Sequence, residues 1–108
     1  MNKQNSLIYA MHANICKTFT SPIRIMIMDE LQHGEQTVSR LEQAIEIRQA
    51  ALSQHLAVLR DKGIVTTRRE GQSVYYRISN PKILDACRLM REVLLEQIEE
   101  NSRLLKRK

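Results

Sequence analysis

Three groups of side chains in this sequence have chemistry to offer. The first is Ala50, Ser53, Gln54 and Ala57, within A-A-L-S-Q-H-L-A-V-L-R-D-K. At about 100° per residue they leave a helix on the side opposite Leu52, Leu56 and Leu59, which recur at i, i+4 and i+7. That outward side is small and carries a hydroxyl and an amide, whereas an ordinary solvated amphipathic helix more often carries Glu and Lys. A major groove ~12 Å wide admits such a face, and an amide side chain pairs bidentately with adenine there. His55 projects about 60° from the leucine side, which suits packing or a phosphate contact better than base reading. The second group is Arg68 and Arg69, at the end of a β-rich stretch. The third is two cysteines, Cys16 with His12 one turn before it and Cys87 with Arg91 one turn after it. A neighbouring cation favours the thiolate, the reactive form.

The elements that must position these groups follow from hydrophobic period and capping residues. Ile8, Met11, Ile15 and Phe19 predict a first helix over about 7–19. Ser21-Pro22 is a cap followed by a first-turn proline, opening a second helix with Ile23, Ile27 and Leu31 on one side and Ile25 and Met28 on another. This is the expected centre of the core, ended by Gly34. Thr37 or Ser39 is placed to cap a third helix, about 38–45, and a tight turn leads to a fourth, about 49–62. After Lys62-Gly63 the period changes from 3.6 to 2. Ile64 to Arg69 and Ser73 to Ile78 read as a hairpin with its tip at Glu70-Gly71-Gln72. Val74, Tyr76 and Ile78 are expected to face the core, with Tyr75 and Arg77 outward. Asn80-Pro81 opens a last helix, about 81–105, striped by Ile83, Cys87, Met90, Leu94 and Ile98. One short domain cannot cover so long a stripe, and pairing with a second copy is the simplest solution.

Composition narrows the classes. At 108 residues, 43% hydrophobic and 27% charged, the chain is a single globular domain rather than a disordered segment. Its net charge of +5 is unevenly spread: residues 48–77 and 101–108 each carry +4, while 82–100 carry −2. Positive charge thus gathers on the helix–turn–helix and hairpin and on the C-terminal tail. No apolar run reaches the ~18 residues of a membrane span, and residues 1–12 lack a secretory leader pattern. Two distant cysteines make no disulfide framework, so the expected location is cytoplasmic. Three histidines, no glycine-rich phosphate loop and no nucleophile–base pair argue against an enzyme.

Three segments carry a family resemblance: P-I-R-I-M-I-M-D-E-L, A-L-S-Q-H-L-A-V-L-R-D-K-G-I-V and R-R-E-G-Q-S-V-Y-Y-R-I. Together, over roughly residues 12–95, they resemble the arsenic-repressor-type (ArsR/SmtB-like) winged-helix transcriptional regulators. The resemblance implies one mainly helical winged helix-turn-helix domain over 1–108. Its helix-turn-helix would cover about 38–62, its hairpin wing about 64–78, and its dimerisation helices about 7–19 and 81–105. It further implies a homodimer that represses transcription at an inverted-repeat operator in double-stranded DNA until an inducer is sensed. By position, Gln49, Ala50, Ser53 and Gln54 fall where the family's recognition helix meets bases, with His55 beside them. Arg68, Arg69 and Gln72 fall in the wing.

The sensing sites of the family are where this sequence departs. Relatives that bind metal on the third helix carry C-V-C, where this chain has Thr37-Val38-Ser39. Relatives that bind zinc on the last helix use aspartate and two histidines, where this chain has Asp85-Ala86-Cys87 and no later histidine. Relatives that sense sulfur hold a cysteine in the second helix, where Asp29 stands here, and its partner lies later in the last helix than Cys87. No metal site and no cofactor is therefore expected. Cys16 and Cys87 remain, with three readings side by side: apolar filler, a thiol switch answering oxidants or reactive sulfur, or a site for a metalloid or thiophilic metal. From another class, a winged helix can serve as a protein-assembly module without DNA, though such modules usually lack a basic wing and a polar reading face.

Overall fold

The computed structural model describes residues 2–106. In chain order the elements are α1 (Lys3–Thr18), α2 (Pro22–Leu31), β1 (Gln36–Thr37), α3 (Val38–Ile45), α4 (Gln49–Asp61), β2 (Val65–Glu70), β3 (Ser73–Ile78) and α5 (Lys82–Lys106). Helix α1 starts at Lys3, earlier than its apolar period suggests, because the Asn2 side chain accepts the Asn5 N–H at 2.8 Å. Ser21 caps α2 in the same way through Arg24 N–H, with Pro22 in its first turn. Thr37 rather than Ser39 caps α3, through Arg40 N–H at 3.2 Å. Between α3 and α4, Glu46 takes the left-handed conformation (φ 58°) and its N–H bonds Glu42 O.

Helix α4 stops through a paired carbonyl closure. Ile64 N–H reaches back to Leu59 O and Gly63 N–H to Arg60 O, both at 2.9 Å. Gly63 sits at φ +74°, the left-handed residue this helix ending requires, and Ile64 is delivered buried beside Leu59. The chain then turns into β2. The hairpin closes in two residues, Gly71-Gln72, since Glu70 already pairs with Ser73. Gly71 at φ +61° supplies the positive φ that two-residue hairpins need.

The sheet has three strands, in the order β1-β3-β2, all antiparallel. Strand β1 is not legible in the sequence. It is two residues long, with Gln36 opposite Tyr76 and Thr37 opposite Tyr75, and the Gln36 side-chain N–H₂ donates to Glu30 O at 2.6 Å. Tyr76 and Ile78 pack on the core beside buried Val65, as the alternation predicts, whereas Val74, on the same face by register, lies beyond the core opposite exposed Arg69. Tyr75 faces away from the core as expected, yet it is half-buried, because Arg68 lies across its ring.

The core is built from Ile27, Met28 and Leu31 of α2, Leu41 and Ile45 of α3, Leu52, Leu56 and Leu59 of α4, and Ile64 and Val65. The terminal helices contribute only partly buried residues to it, Ile15 from α1 and Ile83 and Leu84 from α5. Helix α5 buries none of its residues, and Leu7, Ile8 and Met11 of α1 and Met90, Leu94 and Ile98 of α5 are each more than half exposed. Leu56 is fully buried at the centre of the α4 stripe. Truncation to alanine there should cost about 2–5 kcal/mol through lost transfer energy and the cavity left behind. Urea unfolding at a fixed chain concentration measures it.

Candidate nucleic-acid interface

Burial of Leu52, Leu56 and Leu59, all at 0% exposure, fixes the rotation of α4 about its axis. Gln49, Ala50, Ser53 and Gln54 are in consequence all exposed. Among the described residues none of their side chains makes a hydrogen bond, so the amides and hydroxyl are free to meet an outside partner. Ala57 is half-buried at the edge of that face.

The start of α4 carries a signal that sequence reasoning missed. Asn2, Ser21 and Thr37 cap their helices by accepting a first-turn N–H, and Asn80 Oδ1 accepts the Lys82 N–H at the head of α5. Among the described residues α4 has no side-chain cap; its cap position holds Arg48, which is exposed. Its first-turn N–H groups are therefore open, at the positive end of the helix dipole, beside a guanidinium. That combination attracts an anion such as a phosphate. The cue in the sequence is an arginine where Ser, Thr, Asp or Asn is usual.

His55 is turned away from this open face. It is half-buried, and its Nδ1 accepts from Arg24 Nε at 3.2 Å, while Arg24 Nη1 donates to Thr18 O at 3.2 Å. Arg24 of α2 thereby ties the end of α1 to α4. An accepting Nδ1 leaves the ring proton on Nε2 and the imidazole neutral. Burial, and then the Arg24 charge, hold the His55 pKa below the usual histidine value.

On the hairpin, Arg69 and Gln72 are exposed, and among the described residues Arg69 makes no ion pair. Arg68 behaves differently. Its Nε and Nη2 donate to the Glu35 carboxylate at 2.9 and 2.5 Å, and its Nη1 to Glu70 at 2.7 Å. Its charge is already answered from within the chain. The hydrogen bonds from Arg68 hold the Glu35 carboxyl below its ordinary range.

The two cysteines are free thiols, Cys16 exposed and Cys87 half-buried. The sequence suggests that Arg91 activates Cys87. Instead Arg91 is held by Asp29 of α2 at 2.9 Å. Burial, followed by the Asp29 charge, pushes the Cys87 thiol up, against a smaller opposing effect of Arg91. Among the described residues no three His, Cys, Asp or Glu side chains gather to hold a metal ion, and no helix is long and apolar enough to cross a membrane.

Comparison with known proteins places this geometry. The family of bacterial regulatory proteins named arsR matches residues 21–67, from the cap of α2 into β2. The Biofilm growth-associated repressor of Xylella fastidiosa is 47% identical over 70 residues, 65% of this chain and 61% of that protein. The transcriptional repressor PagR of Bacillus anthracis is 33% identical over 82 residues, 75% of this chain and 82% of PagR. The chain belongs to the arsR family. Its match spans about three fifths of the length of the Xylella repressor. Among solved structures, the homodimeric winged helix-turn-helix DNA-binding domain Mb0332 of Mycobacterium bovis superposes with a TM-score of 0.83 at 27% identity, covering 93% of each chain. The fold is a winged helix-turn-helix, mostly helical with a small three-stranded antiparallel sheet as the wing. The arsR family is one of transcriptional regulators, not of enzymes.

The Arg24–His55 clasp sets a pH dependence. A histidine whose pKa falls on folding binds fewer protons in the folded chain than in the unfolded one. Stability is then constant above the unfolded pKa and declines as pH drops towards the folded one. Between about pH 7 and about pH 5 the urea midpoint should fall, and His55→Asn, which keeps an acceptor near Nδ1 but cannot titrate, should flatten that fall.

Proposed function

We propose that this arsR-family chain acts as a dimeric, sequence-specific DNA-binding repressor. The carrying observation is the free face of α4: Gln49, Ala50, Ser53 and Gln54 exposed and unbonded, on a helix whose opposite stripe is wholly buried. In this reading α4 enters the major groove, Gln54 and Gln49 meet base edges, and Ala50 and Ser53 keep the approach close. Arg48 and the uncapped start of α4 take one phosphate, and Arg69 and Gln72 hold the backbone or minor groove from the wing. Phosphate contacts position and base contacts specify. Two relatives bear the name of repressor, and on that ground the chain is read as a repressor.

Dimerisation is supported by the uncovered apolar faces of α1 and α5 and by the homodimeric state of the Mb0332 domain. A two-fold pair presents two α4 helices to successive grooves, so the operator should be an inverted repeat with half-sites about one helical turn apart. For induction, the candidates are Cys16 and Cys87, which lie outside the reading unit on the two helices that would set the spacing of the wings. An oxidant or reactive-sulfur species that accepts two electrons would join two thiols as a disulfide with loss of two protons, or a metalloid would be held by both sulfurs. The exposed Cys16 is the thiol open to reagent. The DNA duplex and a second copy of the chain are the partners in this reading, and the inducer is a small thiol-reactive species met in the cytoplasm.

Duplexes selected from a random pool by gel shift test the DNA reading. Affinity should fall steeply with salt, with a log–log slope of ~−0.9 per neutralised phosphate. Arg69→Ala should weaken every duplex alike and flatten that slope by about 0.9, whereas Gln54→Ala should relax preference at one base pair by about 1–3 kcal/mol. A salt-independent response would favour a protein-assembly module. For induction, Cys16→Ser and Cys87→Ser should each bind the operator normally yet resist release by oxidant, polysulfide or arsenite. Normal release of both variants by all three makes the cysteines filler.

A further inference from the structure

Arg68 and Arg69 are adjacent arginines on an exposed strand, yet the fold treats them oppositely. Arg69 pairs across the sheet with Val74 and Arg68 with Tyr75, so the two side chains leave opposite faces of the wing. Arg69 emerges exposed, without an ionic partner among the described residues. Arg68, though its side chain is 46% exposed, is engaged on two sides. A guanidinium has five N–H donors in a rigid fork. One edge of this one meets both oxygens of Glu35, at 2.9 and 3.0 Å from Nε, with Nη2 at 2.5 Å from the first. Another edge reaches Glu70, and the guanidinium carbon lies 4.3 Å from the centroid of the Tyr75 ring. A phosphate approaching it meets a guanidinium whose charge two carboxylates already answer.

Glu35 does not belong to the wing. It follows the turn that ends α2 and precedes β1, and α2 is anchored by fully or nearly buried Ile27, Met28 and Leu31. The outer half of β2, Thr67 to Glu70, is exposed throughout and is otherwise held only by its pairing with β3. The Arg68–Glu35 fork is thus a direct side-chain tie between that outer half and the body. Ion pairs this exposed add little to global stability. A bidentate fork stacked on an aromatic ring nonetheless fixes orientation.

We infer that Arg68 is a positioning residue and not a DNA contact: clasped by Glu35, it sets the angle of the wing and hence where Arg69 meets the duplex. This rests on the DNA-binding reading above. The competing role, Arg68 as a phosphate grip restrained by Glu35, predicts effects of opposite sign.

Glu35→Gln separates the two, with affinity measured against a selected duplex over a range of salt. A positioning role gives about three- to tenfold weaker binding, a salt slope like that of wild type, and an unchanged urea midpoint. Hydrogen exchange at the Thr67–Glu70 amides of the free protein should also quicken. Arg68→Lys, which keeps the charge but loses the fork, should weaken binding to a similar degree, since a point charge cannot replace the clasp. Tighter binding by Glu35→Gln with a slope steeper by about 0.9, or binding unchanged in either variant, overturns the inference. Wild-type protein that binds no duplex overturns the DNA-binding reading itself, a result distinct from either.

Discussion

Everything at the proposed interface depends on how α4 is rolled about its own axis. Three leucines spaced along one stripe lie completely out of solvent against α2, α3 and the first residue of β2. Sequestering them removes several kcal/mol of apolar surface from water, far more than any surface contact on the other side of the helix offers. The exposure of Gln49, Ala50, Ser53 and Gln54 is therefore a consequence of the core and not a separate design. The Gly63 closure extends the same constraint, because it delivers Ile64 and Val65 into the core directly after the helix and so starts the wing from a fixed place.

The opposite holds for α1 and α5. Ile15, Ile83 and Leu84 lean on the core, but Leu7, Ile8 and Met11 of α1 and Met90, Leu94 and Ile98 of α5 stay more than half exposed in one chain, and a helix of 25 residues that buries none of its side chains is an unfinished structure. Core and interface are thereby divided between different parts of the fold. In the proposed dimer the body orients α4 within one chain, and the two terminal helices set the distance between two such bodies. In the proposed reading, a thiol on each of those helices stands where a small covalent change would alter spacing without touching the residues proposed to face DNA.

Much of this was legible in the residues. The leucine stripe, the Ser21-Pro22 and Asn80-Pro81 helix starts and the change of period after Gly63 each encode local structure through side-chain chemistry alone, and each element lies close to where they put it. What escaped lacks a local signal. Strand β1 exists because β3 presents a free edge to Gln36 and Thr37, a tertiary fact with no pattern in two residues. The left-handed turn at Glu46 occurs without the glycine or asparagine that usually marks it. The fates of Arg68 and Arg91 were hidden for the same reason. Both look like available cations in the sequence, and both are neutralised by carboxylates more than thirty positions away, Glu35 and Asp29. Charge counted along a chain overstates what a surface offers, since folding spends part of it internally.

The central claim is that the side of α4 opposite its leucines is the surface that meets a duplex. Amide chemical-shift mapping of the labelled protein on titration with a selected operator duplex tests it most directly. The account predicts that the largest perturbations fall on Arg48, Gln49, Ala50, Ser53 and Gln54 and on the wing tip at 69–72, while the buried positions 52 and 56 respond less than these exposed neighbours. Perturbations confined to α1 and α5, with α4 silent at saturating duplex, would contradict it.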